Sequence, residues 1–222
     1  MPHGYHFYRR ETFDIAEKKA LGGVDDVIQL SARRSAAGIL GGYHDLTYLL
    51  PRDREVRAGG HYFGSYELPY RGYVWLVPGH AILEIRSEVV HRFAKALNRL
   101  DGVNITRLMI PDLKSVYETL PQKVEISTQH PDDPDRTRIT VRGRNIDRSA
   151  RNREELRDGR LKHVEFLLNG RPSLVYDGAT IMLRNAFEPE VGAAVAWEIW
   201  RTYLTASAEP WSPRRRRGRR RA

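Results

Sequence analysis

No cysteine occurs anywhere in the 222 residues. Disulfides, zinc-thiolate centres and cysteine nucleophiles are therefore excluded. Glutamine is scarce at three residues, and lysine is outnumbered by arginine, six to 31. A lack of Cys and Gln fits a hot environment, but the broad hyperthermophile pattern is enrichment in Lys and Glu. A GC-rich genome accounts for arginine equally well, so composition decides neither. No stretch approaches the roughly 18 apolar residues of a membrane span. Met1-Pro2-His3-Gly4-Tyr5-His6 lacks the basic-then-apolar order of a signal peptide. A cytoplasmic or virion-interior protein with no membrane partner is the expectation. HExxH, GxxxxGK[ST], GxSxG and GxGxxG patterns are all missing.

What is present is positive charge, and it is segregated. The chain carries a formal net charge of +9. Residues 1–135 sum to −1, residues 136–162 to +6, residues 163–213 to −3, and the last nine residues to +7. Those last nine hold Arg214, Arg215, Arg216, Arg217, Arg219, Arg220 and Arg221, after Pro210 and Pro213. Such a run has no apolar face and repels itself, so it stays solvated until a polyanion neutralises it. It reads as a nucleic-acid contact. Import signalling and binding to acidic protein or lipid surfaces are the competing uses of such tails.

The second cluster has a strand pattern. In Arg136-Thr137-Arg138-Ile139-Thr140-Val141-Arg142-Gly143-Arg144, period two puts Arg136, Arg138, Arg142 and Arg144 on one face. Guanidiniums spaced this way suit a phosphate backbone. Arg148 and Arg151 continue the patch, followed by Arg153, Arg157, Arg160 and Lys162. The alternative is a solvated face paired with Glu125, Glu154, Glu155 and Asp158.

Periodicity supplies the fold class. Residues 5–13, 73–77, 81–86, 103–110, 123–129, 136–144, 163–168, 173–177 and 179–184 read as strands. Pro78-Gly79-His80 and Asn169-Gly170 read as hairpin turns. Residues 24–40, 87–100, 112–120, 147–157 and the segment opened by Glu188-Pro189-Glu190 read as helices. The expected fold is α+β: mainly antiparallel sheet built from hairpins, packed with four or five helices. A single domain over 1–207, with a weak boundary near 121–123, and a flexible arginine-rich tail over 208–222 complete the organisation.

Residues 43–75 hold eight of the chain's 21 aromatics. They form either a stacking platform for unpaired bases or a half-buried sheet face. His44-Asp45 and His61, each just after a Gly-Gly pair, are the candidates for a divalent-metal nuclease site. Asp132, Asp133 and Asp135 read as an acidic hairpin turn. The reading is therefore a nucleic-acid-binding protein that contacts DNA or RNA phosphates without sequence selection and needs no cofactor. The alternatives are a coat or assembly subunit that neutralises packaged genome, recognised by homo-oligomerisation, and a metal-dependent nuclease.

Overall fold

The computed structural model describes residues 4–15, 21–22, 27–34, 40, 42–52, 56–58, 61–63, 66–129, 138–144, 146–184 and 187–211, with side chains outside 21–34 and 50–68. In chain order the strands begin with β1 (Gly4–Phe13), β2 (Leu21–Gly22), β3 (Val27–Arg34), β4 (Gly42–Arg52), β5 (Val56–Ala58), β6 (His61–Phe63), β7 (Tyr66–Val77) and β8 (His80–Ile85). Helix α1 (Val90–Leu97), β9 (Val103–Met109), α2 (Lys114–Tyr117), β10 (Lys123–Gln129) and β11 (Ile139–Arg142) follow. The chain continues as α3 (Ala150–Asp158), β12 (Arg160–Leu168), β13 (Arg171–Tyr176), β14 (Thr180–Leu183), α4 (Pro189–Ile199) and β15 (Glu209–Pro210).

Thirteen of the strands form one antiparallel sheet, in the order β11-β10-β12-β13-β14-β1-β8-β7-β4-β3-β2, with β9 pairing β1 and β15. β1 is the branch point. Its first residues pair β14, from Gly4 opposite Met182. Its last residues pair β9, from Tyr8 opposite Arg107, on the same edge. The hairpin signals hold: Asn169 and Gly170 have φ of 51° and 75°, the two left-handed residues of a type I′ turn.

Alternation along the central strands fills two cores. Phe7, Trp75 and Ile82 join one cluster with Ala196, Ile199, Trp200 and Leu204 of the C-terminal helix and its π-helical extension Trp200–Leu204. Phe7 and Trp200 stack with ring centres 4.3 Å apart. Their neighbours Tyr8, Val74 and Leu83 point the other way, to Val90, Phe93 and Leu97 of α1. A strand buried on both faces has no polar side to show, which explains the near-continuous apolar runs of β7 and β8.

One expectation is overturned. The sheet is not packed with four or five substantial helices. The four α-helices span 8, 4, 9 and 11 residues, and the fold is mostly strand. The long helix expected over 24–40 is replaced over Val27–Arg34 by strand β3. Ile28, Leu30 and Ala32 alternate with Gln29, Ser31 and Arg33 in that stretch, so the sequence also carries period two. Pairing with β4, Leu30 opposite Leu46, decides between the two periods. β4 itself lacks a sequence signal because Asp45 sits mid-strand, and Asp is depleted in strands.

Candidate nucleic-acid interface

Helix α1 buries Val90, Phe93, Ala94, Ala96 and Leu97. The exposed positions of the helix and of the turn at residues 98–99 that follows it are His91, Arg92, Lys95, Asn98 and Arg99, with no acid among them. Amphipathicity alone thus turns a cationic face to solvent. Asn98 ties this helix to β9: its Nδ2 donates to the Ile105 carbonyl at 2.8 Å, and the Ile105 N–H donates to its Oδ1 at 2.8 Å. On the far side of β9 the chain adds β15, with Pro210 opposite Leu108. The Trp211 N–H then donates to the Arg107 carbonyl at 2.7 Å. A groove of about 210 Å³ lies between helix and strands, lined by Tyr8, His91, Lys95, Asn98, Arg107 and Trp211. Trp211 is 43% exposed, one of two large apolar side chains so exposed among the described residues. Among the described residues, Arg92, Lys95, Arg99 and Arg107 have no carboxylate partner. The arginine run begins three residues beyond Trp211.

The basic strand forms a different kind of surface at the sheet edge. Glu125, His163 and Glu165 stand side by side on β10 and β12 and are all buried. Guanidiniums roof them. Arg142 Nε lies 3.0 Å from Glu125 Oε2 and Nη2 3.9 Å from Glu165 Oε2. Arg184 reaches Glu165 Oε2 at 2.7 Å. Arg138 donates to Ser127 Oγ and to His163 Nδ1. With Nδ1 accepting, the proton of a neutral His163 sits on Nε2, which donates to Glu125 Oε1 at 3.0 Å. Burial, with Arg138 adding to it, holds His163 below its usual pKa despite the Glu125 contact. Ser127, His163 and Glu125 are not arranged as a nucleophile–base relay, because the nitrogen that would take the Ser127 proton accepts from Arg138 instead. Three guanidiniums over two carboxylates leave a net charge of +1.

Arg138 and Arg142 are thus partly committed to the fold. Arg144, Arg148 and Arg151 are exposed and have no carboxylate partner among the described residues. Of the α3 acids, Asp158 holds Arg157, at 2.7 Å, and Glu155 is buried and accepts from Thr128 Oγ1 at 2.7 Å. Arg136, Arg214, Arg215, Arg216, Arg217, Arg219, Arg220 and Arg221 lie outside the described residues, as do Asp132, Asp133 and Asp135.

Of the nuclease candidates, His44 and Asp45 do not converge. His44 and Asp45 are consecutive on β4, so they face opposite sides of the sheet. His44 is buried with its ring 5.2 Å from Phe13. Asp45 holds Arg71 through two contacts, of 3.2 and 2.6 Å. His61 begins β6, and its side chain is outside the description. Among the described residues no three His, Cys, Asp or Glu side chains come together as a metal site. Of the aromatics over 43–75, Tyr48, Tyr70 and Trp75 are buried and Tyr43 and Tyr73 half-buried, so these five are sheet core and wall; the side chains of Tyr62, Phe63 and Tyr66 lie outside the described residues. No helix among the described residues is long and apolar enough to cross a membrane.

No protein-family model matches the chain, and no curated protein resembles it in sequence at a significant level. Its candidate interface stands on geometry and charge alone. Sequence reasoning passed over His91, Arg92, Lys95, Arg99, Arg107 and Trp211. A signal was present for the helix: every charged position between residues 89 and 100 is basic.

Proposed function

We propose that this chain binds DNA or RNA without sequence selection, through a cationic surface that runs from α1 across Arg107 and Trp211 into the arginine run. Arg144, Arg148 and Arg151 supply a second phosphate-contacting patch at the sheet edge. The observation that carries the reading is the junction at Trp211. The backbone there is pinned to β9 beside a groove that already holds His91, Lys95 and Arg107. The arginine run thus begins three residues after a point that lies beside cations with no carboxylate partner among the described residues. Phosphate contacts of this kind supply affinity but no base information. Trp211, 43% exposed, adds aromatic surface of the kind on which unpaired bases stack.

The test is a binding titration of the full chain, a 1–212 truncation and a Lys95→Ala/Arg99→Ala double variant, on duplex and single-stranded DNA and RNA across salt. Seven engaged arginines give a log–log salt slope of roughly −6 on duplex DNA. The truncation removes most of that slope, and the double variant reduces it by about two. A full chain that ignores all four polymers in dilute buffer overturns the proposal. An unchanged slope on truncation overturns the role of the tail.

A further inference from the structure

The groove between α1, β9 and Trp211 has a mixed lining. Lys95 and Arg107 are cationic, and no acid lines it. Ala94 and Ile105, also in the lining, are apolar and buried. Phosphate binding accounts for the cations. It does not account for the apolar part, because a phosphate loses solvation against hydrocarbon and gains nothing there. Nor does it account for an aromatic side chain at the mouth of the arginine run.

Trp211 is set apart from the other three tryptophans. Trp200 stacks on Phe7 at 4.3 Å, Trp75 lies 4.5 Å from Tyr43, and Trp197 lies 5.6 Å from His80. Trp211 has no ring partner among the described residues and is 43% exposed. An indole left in water forfeits the burial that usually stabilises it. Its backbone is nevertheless held: the N–H donates to the Arg107 carbonyl at 2.7 Å, and the preceding Pro210 pairs with Leu108. A held, uncovered ring beside cations matches a nucleotide, whose base stacks while its phosphates meet the charges. The groove, at about 210 Å³, is smaller than the roughly 300–1,000 Å³ of drug-sized sites. It has room for one flat ring system and none for a duplex. In a duplex, moreover, each base face is covered by the next base pair, so only an unpaired base has a face to offer.

We propose that this groove takes one unpaired nucleobase, stacked on Trp211, with the flanking phosphates on Lys95 and Arg107, so that the chain selects single strands over duplex. The inference rests on the nucleic-acid reading above and adds to it a preference for strandedness. The phosphate contacts give affinity for any polynucleotide, and the base in the groove gives the discrimination.

The test compares two end-labelled single strands of equal length, an oligothymidylate and its abasic counterpart, which has the same phosphates and no bases. Fluorescence anisotropy of the full chain with each gives the ratio of affinities. The thymidylate strand should bind about five- to a hundredfold tighter. Trp211→Ala should cut that ratio by about fivefold or more, and Trp211→Phe, which keeps a ring at the position, should retain most of it. Equal affinity for the two strands overturns this inference and leaves the phosphate-binding reading standing. A ratio that Trp211→Ala leaves unchanged, with both strands weakened alike, also overturns it, since Trp211 would then serve only to place the arginine run. Binding to neither strand overturns the nucleic-acid reading itself and this inference with it.

Discussion

Replacing Glu84 with Gln should alter how stability depends on pH, by an amount the structure fixes. Glu84 is 4% exposed on β8. It accepts from Trp75 Nε1 at 2.8 Å and from the Tyr5 hydroxyl. Burial pushes its pKa from 4.5 up to about 7, more than those two donors pull it down. The folded chain therefore keeps a proton on this group where the unfolded chain has lost it. That contribution is complete below pH 4.5 and disappears as pH rises through about 7. At about 1.4 kcal/mol per pH unit, the loss is about 3 kcal/mol. His6, on the opposite face of the sheet, works in the other direction. Burial, helped by Arg107, lowers its pKa from 6.5 to about 4. Its contribution is complete above pH 6.5 and disappears as pH falls through about 4. Between about pH 4.5 and 6.5 the two slopes cancel in the native protein. Gln at position 84 cannot ionise, so the His6 slope is left unopposed. The variant should gain stability relative to the native chain by about 1.4 kcal/mol per pH unit, reaching about 3 kcal/mol near neutrality. Urea denaturation at a series of pH values, read by circular dichroism, measures this. Parallel stability–pH curves for the two proteins would refute the argument, because they would mean that Glu84 ionises alike in the folded and unfolded chains.

Two further substitutions test the packing and the division of labour among the arginines. Gly192→Ala places a methyl group against the Tyr5 hydroxyl; overpacking of this kind should lower stability by about 1–3 kcal/mol, seen as a lower urea midpoint at unchanged m-value. Arg142→Ala uncovers Glu125, whose carboxylate it meets at 3.0 Å; stability read from urea denaturation should fall by about 1–2 kcal/mol, since the guanidinium is partly exposed, while the salt slope for duplex DNA moves by no more than about one.

Much of the fold can be read from local signals. α1, the hairpins at Pro78-Gly79 and Asn169-Gly170, and the strands of the C-terminal half follow from apolar spacing and turn residues, because those segments commit to a single period. β3 and β4 do not. Residues 27–34 carry both a helical and a strand repeat, and only pairing across to Leu46 selects one. The candidate site divides in the same way. The arginine run and the arginine row on β11 are visible as composition and alternation. That Arg138 and Arg142 spend contacts on Ser127, His163 and Glu125 is not, since the partners lie on other strands. Nor is the cationic groove, which joins residues 8, 91–98, 107 and 211.

The sequence by itself determined the charge: a chain without thiols, an arginine-dense end that no core can absorb, and a helix with basic outward positions. Those are properties of residue type and spacing, and no fold can change them. Only the tertiary structure decided which charges are neutralised and which are not. β10 and β12 bring buried carboxylates under the arginines of the sheet edge, while β9 and β15 bring Arg107 and Trp211 beside α1 cations that have no carboxylate partner among the described residues. Electrostatic pairing acts over a few ångströms, and distances of that order between residues far apart in the chain are set by strand register.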